Sequence, residues 1–193
     1  MSTNSRNKRE QILKAAERRF MKHGPHRTTL DEVARDLRMA KSTIYHYFSS
    51  KEDLYIKTVE KQGEEYIARI KEIFNNEQKS YEERVRDYID HKLNLRLNFR
   101  LIYLLLLNDM MKKTLTGEEE TLIRLFSEEE KIVRLVLNSR KDPAETERYK
   151  LSYFITTQTF LLTYADSIFL SKISADDPSV LNTQISIFEA LFR

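Results

Sequence analysis

Helix-start signals recur along this chain of 193 residues and constrain its fold more than any other feature. Thr29 and Ser80 are each followed three residues later by a glutamate, which is the pattern of a helix capping box. Asp142 stands before a proline at the first helical position, which is another start signal. Only 3 glycines and 3 prolines interrupt the sequence, so the segments between these signals are long enough to be helices. The sequence therefore predicts an all-α fold.

The same signals give approximate helix bounds. A first helix is capped by Asn7, with Glu10 completing a capping box, and ends at Gly24 and Pro25. The later predicted helices span residues 30–37, 41–48, 50–74, 81–98, 99–111, 117–139, 142–173 and 177–193.

Residues 41–48 form a short helix with two different sides. At about 100° per residue, the inward side is mostly apolar and consists of Ala40, Ile44, Tyr47 and Phe48. The outward side offers a cation, a hydroxyl, a phenol and an imidazole, from Lys41, Ser42, Tyr45 and His46. Such groups suit hydrogen bonds to base edges and contacts to phosphates. Because residues 38–40 connect this helix tightly to helix 30–37, the pair matches the helix-turn-helix pattern.

Residues 10–59 resemble the DNA-binding domain of the tetracycline-repressor (TetR) family of bacterial transcriptional regulators. The segments that support the resemblance are Ile12–Ala16, Phe20–Gly24, Thr28–Ala34, Thr43–Phe48 and Ser50–Leu54. The resemblance implies a helix-turn-helix domain at residues 1–50 and a larger helical domain at 51–193 that binds an effector and dimerises. It also implies a repressor that binds a palindromic double-stranded DNA operator as a homodimer and is released by a small molecule.

Three positions depart from what is usual in that family. Arg38 stands where relatives have a turn glycine, Ala40 where they have a capping serine, and Ser42 where they often have a glycine that lets the backbone approach the bases. Loss of a serine cap costs about 1 kcal/mol, so the start of helix 41–48 depends on packing. The base preference of this helix therefore cannot be transferred from a relative.

Family resemblance and local chemistry together predict the DNA contacts as Thr28, Thr29, Lys41, Ser42, Thr43, Tyr45, His46, Tyr47 and Lys51. The two threonines lie at a helix N-terminus, where free backbone N–H groups suit a phosphate. Positive charge also concentrates here, with 14 Lys and Arg against 8 Asp and Glu in residues 1–62, and 19 against 22 afterwards. Because phosphate neutralisation provides most sequence-independent affinity for DNA, this segment is the expected DNA-binding part.

The predicted helices 142–173 and 177–193 have apolar residues on two sides. A helix that is apolar on two sides needs partners on both, and a second copy of the chain can cover one of them. The resemblance also implies dimerisation through the last two helices. The alternative is a thick monomeric core.

The effector site is predicted from polar residues within apolar helical stretches, which are Asn98, Tyr103, Gln158, Tyr164 and Asp166. Ligand cavities in helical domains are mostly apolar with a few polar groups. The 10 Phe and 10 Tyr of this chain, which has no Trp, favour an apolar or aromatic effector. Asp166 has three interpretations that sequence does not rank, namely a cationic ligand, a pair across the dimer, or solvent.

Other function classes have little support. The chain has no cysteine, and its 4 histidines form no two-histidine metal motif, so we expect no metal and no cofactor. A nucleophile elbow and a phosphate-binding glycine loop are also lacking, which argues against an enzyme. A helical interaction protein that has lost DNA binding is the other alternative, supported by Arg38 and Ala40. We find no signal peptide or membrane span, and expect a cytoplasmic protein.

Overall fold

The structure, a computed structural model, describes residues 3–110 and 117–138, and the regular secondary structure over these ranges is helical with no strand. The helices are α1 Thr3–Arg27, α2 Leu30–Asp36, α3 Lys41–Tyr47, α4 Lys51–Asn75, α5 Tyr81–Leu93, α6 Leu95–Asn98, α7 Arg100–Met110 and α8 Glu118–Asn138. No helix among these described ones is long and apolar enough to cross a membrane. The predicted all-α fold with an N-terminal helix-turn-helix is confirmed.

The first three helices pack around one apolar core, as the spacing of their apolar residues predicts. Its buried side chains are Ile12, Leu13, Ala16, Phe20, Leu30, Val33, Ala34, Ile44 and Phe48. Helix α4 closes this core, since the Phe20 ring meets the Tyr55 ring edge-on at 5.1 Å between centroids. Burial of these side chains is the main source of stability for such a small bundle.

The start of α1 differs from the prediction, whereas its break at Gly24 agrees with it. The predicted capping box of Asn7 and Glu10 is wrong, because α1 begins at Thr3 and the Glu10 carboxylate instead accepts a hydrogen bond from Lys61 Nζ at 3.0 Å. At the other end, Gly24 interrupts the helix with φ 77°, a conformation that favours glycine. A short helical stretch follows this kink and ends at Arg27, so the first helix stops at Gly24 as predicted.

Two predicted capping boxes are present. The side chain of Thr29 accepts from Glu32 N while the Glu32 carboxylate accepts from Thr29 N, and Ser80 and Glu83 repeat the arrangement. These reciprocal bonds satisfy N–H groups that a helix leaves free in its first turn. The bonds also hold the pKa values of both glutamates below their usual value, because backbone N–H groups stabilise the charged carboxylate.

The helix that begins at Tyr81 is shorter than predicted. It ends at Leu93, where Asn94 adopts the C-cap position, and the short α6 follows. The Asn94 side-chain amide donates to the backbone carbonyl and the carboxylate of Asp90, both at 3.0 Å. Asparagine competes with the helix for these acceptors, which explains the break.

The remaining described helices agree with the prediction. Helix α4 starts after Ser50, whose hydroxyl accepts from Asp53 N at 3.0 Å. Helices α7 and α8 lie within the predicted segments 99–111 and 117–139. The helices predicted at 142–173 and 177–193 lie outside the described residues.

The described residues pack as two compact units. The first contains α1, α2, α3, α4 up to Glu65, and Phe99–Arg124, while the second contains Tyr66–Asn98 and α8 from Leu125 onward. This division cuts the chain differently from the predicted domains at 1–50 and 51–193. The reason is that the first half of α4 and helix α7 both pack on α1.

Candidate nucleic-acid interface

Helix α3 presents the predicted polar side chains to solvent. Lys41, Ser42, Tyr45 and His46 are exposed, while Ile44 has no exposed surface. The aromatic side chain of Tyr45 is 49% exposed. The outward side of α3 is therefore a polar and aromatic surface available to a ligand.

The inward side agrees less completely with the prediction. Phe48 is buried, but Tyr47 and Thr43 are half-buried and Ala40 is exposed. Ala40 precedes the helix in an extended conformation, so the helical period of 100° does not extend to it. Placing Ala40 on the inward side was wrong.

The cation of α3 is already paired within the protein. Lys41 Nζ donates to the Asp31 carboxylate of α2 at 2.8 Å, and it lies 6.0 Å from the centroid of the Tyr45 ring. This bond and the negative charge of Asp31 raise the pKa of Lys41. Both side chains are about half-exposed, so the pair contributes little to folding stability. The sequence pattern did not predict Asp31 as the partner of Lys41, although α2 precedes α3 directly.

The turn between α2 and α3 contains a strained residue. Arg38 has φ 52°, the left-handed region that costs a non-glycine residue about 1 kcal/mol. Met39 N donates to the Ala34 carbonyl at 2.9 Å, which holds the turn closed. Ala40 makes no side-chain cap to α3, as expected from its sequence.

Arg19 of α1 fixes α2 in place. Its guanidinium donates to both carboxylate oxygens of Asp36, at 2.7 and 2.6 Å, and lies 3.3 Å from Glu32. Hydrogen bonding from Arg19 lowers the pKa of Asp36. A bidentate pair of this kind restricts orientation, so α2 and the turn that follows it are held relative to α1.

The two predicted threonine contacts lie in different surroundings. Thr28 is buried, its hydroxyl donates to the Gly24 carbonyl at 2.9 Å, and its backbone N–H donates to the same carbonyl. Thr29 is exposed, but its backbone N–H donates to Glu32. The expectation of free N–H groups at these two residues is therefore wrong, because the kink and the capping box use them. Lys51, the last predicted contact, is half-buried in the first turn of α4.

The predicted effector residues are only partly described. Tyr103 is 9% exposed within α7, and Asn98 is exposed at the end of α6. Gln158, Tyr164 and Asp166 lie outside the described residues. In the ranges 3–110 and 117–138, no three or more His, Asp or Glu side chains are grouped to hold a metal ion.

The second unit contains a buried polar cluster that the sequence pattern did not predict. Glu129 is fully buried, and its Oε1 accepts from Tyr66 at 3.1 Å, Tyr88 at 2.6 Å and Lys92 at 2.8 Å. Burial, followed by the negative charge of Glu129, raises the pKa of both phenols well above the usual value. His91 stacks on Tyr66 with ring centroids 4.7 Å apart, and burial lowers its pKa.

Part of the chain matches the model of a known protein family. Residues 12–58 match the family model for bacterial regulatory proteins of the tetR family. No curated protein matches the chain in sequence.

Several solved structures share the fold. A putative TetR-family regulator from Mesorhizobium loti is 17% identical, with 98% of this chain and 97% of that chain covered and a TM-score of 0.74. The fatty acid degradation regulator FadR from Bacillus halodurans is 17% identical, with 92% and 96% covered and a TM-score of 0.70. FadR from Bacillus subtilis, solved in complex with stearoyl-CoA, is 15% identical, with 92% and 96% covered and a TM-score of 0.65.

Proposed function

We propose that this chain is a bacterial transcriptional regulator of the TetR family, whose model matches residues 12–58, and that it is a repressor that binds a palindromic DNA operator as a homodimer. One observation supports this most directly. Helix α3 exposes Lys41, Ser42, Tyr45 and His46 while its buried Ile44 anchors it to the bundle. A recognition helix needs such a rigidly held, polar and cationic outer side to enter a major groove. We expect no enzymatic activity and no cofactor.

The contacts that we propose fall into two groups. Lys41, Ser42, Tyr45 and His46 face base edges or nearby phosphates, and Thr43, Tyr47, Lys51, Thr29 and Thr28 complete the footprint. Of the last group Thr28 is the weakest candidate, because its side chain is buried. A protein that acts on chromosomal DNA in a bacterium works in the cytoplasm, which is the compartment we propose.

We further propose that residues 1–50 bind DNA and residues 51–193 bind the effector and dimerise, the latter through helices 142–173 and 177–193. The effector candidates are Asn98, Tyr103, Gln158, Tyr164 and Asp166. Tyr103 supports an apolar effector, since it is a phenol within a helix whose other described side chains are mostly buried leucine and isoleucine. Because FadR from Bacillus subtilis was solved with stearoyl-CoA, a long-chain acyl-CoA is the first effector to test.

The test is to select binding sites for the purified chain from random-sequence DNA and to footprint the selected site. We expect protection of a palindrome, and release when an effector is added. Lys41→Ala and Tyr45→Ala should weaken binding to that site about tenfold or more at fixed salt while both variants stay folded. Failure to select any sequence at any salt concentration would favour a helical interaction protein.

A matched control comes from the second unit. Lys71 of α4 also forms a half-exposed ion pair, with Glu128 of α8 at 2.9 Å. Lys71→Ala removes the same side chain and the same charge from the protein as Lys41→Ala. Equal loss of DNA affinity in the two variants would mean that net charge, and not the surface of α3, determines binding.

A further inference from the structure

A buried glutamine joins three helices of the first unit. Gln62 of α4 is 3% exposed. Its Oε1 accepts from Leu101 N at 2.8 Å and from Ile102 N at 3.3 Å, both in the first turn of α7. Its Nε2 donates to the Glu17 carboxylate of α1 at 2.9 Å. The side chain thus uses its acceptor on one helix and its donor on another.

Helix α7 needs this partner because it has no local cap. The first N–H groups of a helix lack an intrahelical acceptor, and serine, threonine, asparagine or aspartate usually supplies one. Phe99 precedes Arg100 at the start of α7, and its side chain contains no acceptor. Gln62 therefore caps α7 from a different helix.

The side-chain amide of Gln62 suits its two neighbours because it has both a donor and an acceptor. Glu17 is an acceptor only, and the α7 N–H groups are donors only, so a group between them must accept on one side and donate on the other. A carboxamide meets this requirement without burying another charge. A glutamate at the same position would still cap α7 but would place two carboxylates against each other.

The contact leads to the DNA-binding helices through α1. Glu17 lies two positions before Arg19, which forms the bidentate pair with Asp36 of α2. Polar contacts of Gln62 thus join α7 and α4 to α1, and those of Arg19 join α1 to α2, so the backbone of α1 connects the two sets inside one compact unit. Helix α2 in turn positions α3 through the strained turn at Arg38.

We propose that Gln62 is a positioning residue for DNA binding. Its contacts with Glu17 and with the first turn of α7 hold α1, and with it the helix-turn-helix, in the orientation that a specific DNA site requires. Gln62 does not contact DNA. This inference rests on the proposed function, since it concerns the affinity for a specific site.

Three variants of the full chain test the inference, namely Gln62→Glu, Glu17→Gln and the double variant. Gln62→Glu keeps the cap on α7 and should weaken binding to the selected palindrome about tenfold, because a buried donor contact becomes a repulsion. Glu17→Gln should bind normally, since its amide oxygen still accepts from Gln62. The double variant should recover the affinity, because an amide at position 17 can donate to a carboxylate at position 62.

Each variant is titrated with the selected palindrome and with a scrambled duplex at one salt concentration, well below its melting temperature. Binding to the scrambled duplex should stay within about twofold of the unaltered chain, because it depends on phosphate neutralisation. A role in folding alone does not change the ratio of the two affinities in folded protein. A role of Gln62 as a helix cap alone predicts normal binding by Gln62→Glu.

Two results overturn the inference without touching the proposed function. In the first, folded Gln62→Glu binds the palindrome with the same affinity as the unaltered chain. In the second, the double variant does not recover the affinity for the palindrome. If Gln62→Glu does not fold, Glu17→Ala tests the same contact from α1, and an unaltered ratio of affinities in that variant overturns the inference. Absence of any selected site for the unaltered chain overturns the proposed function and the inference together.

Discussion

Replacing Lys92 with methionine should strongly destabilise the protein, because Glu129 would remain buried without its counter-ion. The side chains of Lys92 and Glu129 are 3% and 0% exposed, and the two charged groups are 2.8 Å apart. Tyr66 and Tyr88 would still donate to the same carboxylate oxygen. The other oxygen, Oε2, is buried without a hydrogen-bond partner in the structure as described.

The expected loss follows from these distances and burials. Two unit charges 2.8 Å apart attract by about 6 kcal/mol at an effective dielectric constant near 20. Removing one partner of a buried pair typically costs about 3–5 kcal/mol. Since two phenols continue to stabilise the carboxylate, we expect a value of about 3 kcal/mol. For a chain of this length that corresponds to a fall in melting temperature of roughly 6–12 °C.

Thermal and urea unfolding of Lys92→Met, Glu129→Gln and their double variant measures this directly. The double variant should lose clearly less stability than the sum of the single variants, because it removes both buried charges. The control is Lys71→Met, whose half-exposed pair with Glu128 should contribute less than about 1 kcal/mol. Equal melting temperatures for Lys92→Met and Lys71→Met would refute the reasoning.

Three further predictions concern other positions. Arg38→Gly should raise the free energy of unfolding in urea by about 1 kcal/mol, since glycine adopts a positive φ without strain, and a lower value would contradict the strained turn. His91→Gln should reduce the loss of unfolding free energy that accompanies acidification from about pH 6.5 to 5. The sign follows from the lowered pKa of buried His91, because the unfolded chain takes up a proton near pH 6.5 and the native chain does not. Ile44→Ala should cost about 2–5 kcal/mol and lower the melting temperature, because Ile44 is fully buried.

Features with local causes were predicted from sequence. The capping boxes of Thr29 and Ser80 depend on residues three positions apart, so the sequence contains the whole interaction. The similar pair Asn7 and Glu10 gave a wrong start for α1. There the glutamate found a partner in Lys61, far along the chain, which a local pattern cannot reveal.

The buried polar residues had a signal that sequence analysis did not use. On α5 the buried Val85 is followed by Lys92 one heptad later, and on α8 Glu129 lies between the buried Leu125 and Val133 at intervals of four. A charged residue on the apolar side of each of two helices predicts a buried pair. Which helices meet is a matter of tertiary packing, so the pairing itself could not be predicted. The contacts of buried Gln62 with α1 and α7 could not be predicted either, because they also depend on which helices meet.

The pair between Lys41 and Asp31 changes how charge in this protein should be counted. The first 62 residues contain 14 Lys and Arg. If each of these cations contacted one DNA phosphate, the number of phosphate contacts would equal this count. Lys41 and Asp31 are neutral as a unit, so Lys41 can neutralise a phosphate fully only when it leaves a carboxylate uncovered near the DNA. The salt dependence of binding will therefore indicate fewer phosphates than the cations along this segment suggest. Asp31 is therefore expected to weaken binding to DNA of any sequence.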